Sequence, residues 1–112
     1  MSTNGNNDGL PDEARLAELV EAAVVDCHDE EEQLTGLFTM IEENLALPFA
    51  TRVLGVEVTV ESVDLTDDDK IVAGCRRRRE RQAISLLELP LPSPPPAGAE
   101  WIHAYRYWAR RQ

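Results

Sequence analysis

The sequence predicts an α+β fold, with two N-terminal helices and one C-terminal helix packed on a small four-stranded antiparallel sheet or SH3-like barrel. Three observations lead there. Apolar residues recur at helical spacing as far as Leu45, the period falls to two from Phe49 onward, and beyond a proline run large aromatic rings again share a helical face. At 112 residues the chain is long enough for one ordinary core. A disordered lead-in is expected over 1–9, followed by a single domain over 10–112.

The first helix is expected from Leu10, with Pro11, Asp12 and Glu13 in its opening turn, where acids favour the positive end of the helix dipole. Its apolar face is Leu16, Leu19, Val20, Ala23, Val24 and Cys27. Asp26-Cys27-His28-Asp29 breaks that pattern and can cap a second helix running from about Glu30 to Asn44. Leu34, Leu37, Phe38, Ile41 and Leu45 form its core stripe. Gly36 lies inside the stripe and points to a close backbone approach. Leu47-Pro48 ends the helix.

Val56, Val58 and Val60 alternate with Glu57, Thr59 and Glu61, the pattern of a half-buried strand after a turn at Gly55. Thr66 to Asp69 forms a turn, Lys70 to Arg77 a second strand, and Gln82 to Leu89 a third, with Phe49 to Leu54 available as a fourth. Prolines at 90, 92, 94, 95 and 96 lack the donor that a sheet interior needs, so this stretch is a stiff extended connector. Ala97 to Arg110 is the last helix. Trp101, Tyr105 and Trp108 lie four and three residues apart on one face, a spacing that suits a core.

Charge is segregated along this chain. Residues 1–69 hold 18 of the 21 acids and two bases, whereas 70–112 hold nine bases and three acids, giving −16 and +6 within a net charge of −10. Crowded carboxylates repel, and solvation, the basic half or a bound cation must offset that cost. The negative net charge argues against nucleic acid as a partner, even with Arg76 to Arg79 and Arg81 in a row. Pairing of that run with the acidic helices, plus a solvated hairpin, is the expected role. No apolar stretch is long enough for a membrane span, and the polar start lacks the features of a secretory signal, which points to the cytoplasm. Cys27 and Cys75 belong to no C-x-x-C pair. No nucleophile has a recognisable setting, so no enzyme is expected.

The acids form two clusters, one at Asp26, Asp29, Glu30, Glu31 and Glu32 and one at Asp64, Asp67, Asp68 and Asp69. Calcium takes six to eight oxygen ligands in flexible geometry, which such clusters can supply. A capped acidic helix start and an ordinary Asp-rich turn explain the same residues without a metal. The second cluster is not an EF-hand, since it lacks the glycine at the sixth position and the closing glutamate at the twelfth. Glu42 and Glu43 oppose the dipole at the end of the second helix and ask for a compensating cation.

The order Val25-Asp26-x-x-Asp29-Glu30-Glu31-Glu32, Gly36, then Ile41-Glu42-Glu43-x-Leu45-x-x-Pro48-Phe49 resembles the bacterial calcium-binding family typified by the cyanobacterial CcbP protein. The likeness runs over about residues 22–108, through Val56, Val58 and Val63 to the proline connector and Tyr105-Arg106-Tyr107-Trp108. It departs at His28 and Leu37, where the family pattern is aromatic. The resemblance implies a small acidic Ca²⁺ binder, buffer or sensor, without EF-hands. Asp26, Glu32 and Glu42 match its acidic pattern, with Asp29 and Glu43 alongside. The clustering of acids adds Asp64, Asp67 and Asp68, completing the expected metal set. The alternative is a protein-interaction module that uses the acidic helices or the Pro-rich connector to dock a protein partner, with no metal role.

Overall fold

The computed structural model describes residues 11–112, so the lead-in expected over 1–9 lies outside the described residues. The elements follow in the order α1 (Glu13–Val24), α2 (Glu30–Asn44), β1 (Phe49–Val53), β2 (Val56–Leu65), β3 (Ile71–Arg77), β4 (Glu80–Ser85) and α3 (Ala99–Arg110). The strands form an antiparallel meander in the order β1-β2-β3-β4, and the three helices pack on one another beside it. The first helix begins later than its composition suggests. The Asp12 carboxylate accepts from Arg15 N, which makes Asp12 the N-cap and leaves Pro11 outside.

The sheet's inward face explains its sequence. Val58 and Val60 are buried, and strict alternation would turn Ser62 inward next. A bulge between Val60 and Ser62 shifts the phase by one residue, so that Val63 points into the core opposite Ala73. Leu37, Ile41, Ile71, Leu86, Leu89 and Ile102 fill the space between the layers.

Residues 86–89, expected as the end of a strand, form a turn instead. Glu88 N and Leu89 N both donate to Ser85 O, and the turn places Leu86 and Leu89 in the core. Arg106 secures it by donating from Nε to Leu86 O and from its terminal nitrogen to Leu89 O. The proline connector lies beside β1, where the buried Thr51 hydroxyl donates to Pro90 O at 2.6 Å.

Two glycines set the helix contacts. A Cβ on Gly36 would stand 2.3 Å from Ala23 O, so α1 crosses α2 at the close approach that the sequence indicates. Gly98 is the N-cap of α3 at φ 88°, and a Cβ there would meet Asn44 O at 2.1 Å. Alongside it, Ala46 N donates to Ala97 O at 2.8 Å, joining the exit of α2 to the entry of α3.

Candidate metal centre

The two acidic clusters, 40 residues apart in the chain, meet at one end of the molecule. Their meeting follows from topology. β2 and β3 carry the Thr66–Asp69 turn to the end of the sheet where α2 begins, and a cleft of about 510 Å³ opens between them. Asp29, Glu30 and Glu31 line one side, Asp69 and Lys70 the other, and Trp108 contributes to the wall.

Local structure fixes the donors on the α2 side. Asp29 is the N-cap, with its Oδ1 accepting from Glu32 N at 2.8 Å. The Glu32 carboxylate reaches back to accept from His28 N at 2.6 Å, close to the reciprocal arrangement of a capping box. Each of these two carboxylates spends one oxygen on its own helix and keeps the other. Glu30, Glu31 and Glu32 occupy the first turn, where the dipole favours each by about 0.3–1 kcal/mol.

On the other side, the Thr66 hydroxyl donates to Asp68 Oδ1 at 2.6 Å. That hydrogen bond, followed by a backbone one, holds the Asp68 carboxyl below its usual pKa. Thr66 N also donates to Lys70 O and Asp69 N to Thr66 O, closing the turn with Asp69 at φ 64°. Lys70 lines the acidic cleft yet forms no ion pair among the described residues.

The expected ligands are therefore dispersed. Asp29 lines the cleft. Asp67 and Asp68 are exposed in the turn beside it. Asp26 and Glu32 line a separate depression with Cys27, Glu31 and Thr35, and Asp26 there adopts φ 70°. Asp64 alternates with inward Val63 and so stands on the outer face of the sheet. Glu42 and Glu43 lie at the far end of α2, roughly 15–20 Å along the axis from Glu32 and Asp29, too far to share an ion with them. Glu30, Glu31 and Asp69 complete the cleft without belonging to the expected set. Their membership in the two acidic runs was the one available signal.

The arginine run does not pair with the acidic helices. Of Arg76 to Arg79 and Arg81, Arg76 alone forms an ion pair among the described residues, with Glu61 on the neighbouring strand. Those residues belong to the opposite end of the sheet, a seven-residue strand or roughly 20 Å away. A second pair between the charge halves, Arg111 to Glu13 at 3.2 Å, joins the C-cap of α3 to α1.

Chemically the cleft fits a hard cation, since every acidic donor is an oxygen at the surface. Its carboxylates stand apart, and no three His, Cys, Asp or Glu side chains converge on one point among the described residues. An α+β domain with carboxylates at one end and no EF-hand loop has the features of a small non-EF-hand calcium-binding protein. The chain is a member of the CcbP-type calcium-binding family, whose model (Calci_bind_CcbP, described as "Calcium binding") matches residues 18–109. A solved structure, "Calcium binding protein in the calcium-binding form", is similar with a TM-score of 0.65 and 20% identity, covering 89% of this chain and 92% of that one. That likeness speaks for the fold. A search of curated proteins finds no match.

Proposed function

We propose that this calcium-binding protein holds Ca²⁺ in the cleft between the start of α2 and the β2–β3 turn. Asp29, Glu30 and Glu31 would supply donors from one side and Asp69 from the other, with Asp67 and Asp68 adding to the local negative potential. The observation that carries the reading is the juxtaposition of two acidic runs across one cleft whose single cation, Lys70, is unpaired among the described residues. Repulsion between the carboxylates holds them apart, and a divalent cation lowers that cost when they close on it. Asp26 and Glu32, on the neighbouring depression, contribute to the field, and Glu42 and Glu43 are too remote to share the ion.

Calorimetric titration with Ca²⁺ and Mg²⁺ tests the assignment. Asp69→Asn and Glu31→Gln should each weaken Ca²⁺ binding roughly tenfold, the loss of about 1.4 kcal/mol. Glu42→Gln should change it less than about twofold. A larger loss from Glu42→Gln than from Asp69→Asn would move the site to the other end of α2.

A further inference from the structure

The sheet carries a second unusual surface at the end remote from the acidic cleft. Leu54 and Gly55 form the two-residue turn between β1 and β2, with Val53 opposite Val56, and both turn residues have positive φ, 53° and 80°. Such turns ordinarily take asparagine, aspartate or glycine in the first position. Here it is leucine, 98% exposed. A side chain that buries nothing and resists its backbone conformation does not serve the fold.

Beside it lies a groove of about 230 Å³ that no helix residue lines. Val53, Val56 and Val58 give it an apolar wall, and Arg77, Glu80 and Gln82 form its polar side. Val56 is itself exposed. Arg78 and Arg79 make the adjoining hairpin tip, and Arg81 follows on β4. Arg77, Arg78, Arg79 and Arg81 form no ion pair among the described residues, although the chain carries ten net negative charges.

We propose that this end of the sheet docks an extended acidic peptide segment of a partner protein. An apolar side chain of that segment enters the groove beside Leu54, and its carboxylates meet the guanidinium groups of Arg77, Arg78 and Arg79. Charge complementarity selects the occupant: an apolar groove with Arg77 and Glu80 on its polar side, next to the unpaired Arg78 and Arg79 of the hairpin tip, suits a segment of mixed acidic and apolar side chains. Nucleic acid suits it less, since no aromatic side chain lines the groove for base stacking and the net charge repels phosphate.

Fluorescence anisotropy on the full-length protein in EDTA tests this with three probes: a labelled Glu/Leu peptide, its Lys/Leu counterpart and a short oligouridylate. Saturable, salt-sensitive binding of the acidic peptide alone is expected. Arg77→Gln with Arg79→Gln should weaken it roughly tenfold, with unchanged far-UV circular dichroism. Leu54→Asn should also weaken binding severalfold while raising the melting temperature, because asparagine accepts the positive φ more readily. No binding of the acidic peptide, tighter binding of oligouridylate, or an affinity indifferent to Leu54→Asn would each overturn the proposal. Because EDTA removes the ion and the groove lies at the opposite end, the result is separate from that of the calcium titration.

Discussion

The indole Nε1 of Trp108 donates a 2.9 Å hydrogen bond to Gln33 Oε1, a partner 75 residues earlier in the chain. This bond ties the end of α3 to the first turns of α2, beside the acidic donors, and Trp108 also forms part of the cleft wall. Calcium binding should therefore change Trp108 emission, and Gln33→Ala should diminish that change. The variant should also lose about 0.5–1.5 kcal/mol of stability, the usual net value of a hydrogen bond. Fluorescence titration and urea denaturation check both parts. An emission change that survives intact in Gln33→Ala would separate the indole from the site.

A ligand that binds only the folded chain stabilises it by mass action. At 100 times its dissociation constant, Ca²⁺ should add about 2.7 kcal/mol. A thermal melt in millimolar CaCl₂ should lie several degrees above one in EDTA at equal ionic strength. Mg²⁺ should do less, because it demands tighter octahedral geometry and gives up water reluctantly. Equal shifts with the two ions would reduce the effect to general screening of a chain with net charge −10.

Gly36→Ala should destabilise the fold by about 1–3 kcal/mol, although alanine is the better helix former. The added methyl would stand 2.3 Å from Ala23 O, and backbone cannot move aside as a flexible side chain can. Chemical denaturation measures the loss. A variant as stable as the parent would mean that α1 can slide without cost.

Gly36 shows which features the sequence makes legible. A glycine within the stripe Leu34, Leu37, Phe38 and Ile41 contradicts helix propensity, and close packing is the ordinary reason for keeping it. The limits of α2 and the presence of four short strands were equally legible, because apolar periods of 3.6 and 2 are local properties, whereas the choice between an open sheet and a barrel was not. The turn at Leu86 to Leu89 was not, since its apolar residues fit a strand until Ser85 O takes two backbone donors. Nor was the meeting of Asp29 with Asp69, or the isolation of the arginine tip. Both depend on which end of the sheet each hairpin occupies, and local spacing carries no record of that.

Arg106 looks in the sequence like one more base of the positive half, yet it is half-buried and donates to Leu86 O and Leu89 O. Burial lowers its pKa, although the guanidinium remains charged at physiological pH. Arg106→Met keeps the apolar stem and leaves two carbonyls without their donor. A loss of about 1.5–3 kcal/mol is expected, the range for hydrogen bonds to a charged group. Arg106→Lys should recover part of it, since an ammonium lacks the planar fork that serves both oxygens. Urea midpoints rank the three proteins, and a Met variant as stable as the parent would show that stem packing, not donation, is what matters.

His103 gives the fold a pH dependence of determinate sign. Burial within α3 lowers its pKa, Arg106 adds to the shift, and Glu100 opposes it. A histidine whose folded pKa is lowered binds protons more tightly in the unfolded chain, so its contribution is complete above its unfolded pKa of about 6.5 and diminishes as pH falls. Asp68 also has a lowered pKa, but its contribution is lost only in the acid range below about 3.9, so the two windows do not overlap. The urea midpoint should consequently fall between about pH 7.5 and 5.5 by more in the parent than in His103→Gln, which cannot take the proton. Carboxylates beginning to protonate near the lower limit act alike in both proteins, so the difference between the two slopes isolates the imidazole. Parallel slopes would place His103 in an environment as favourable to its charge as water.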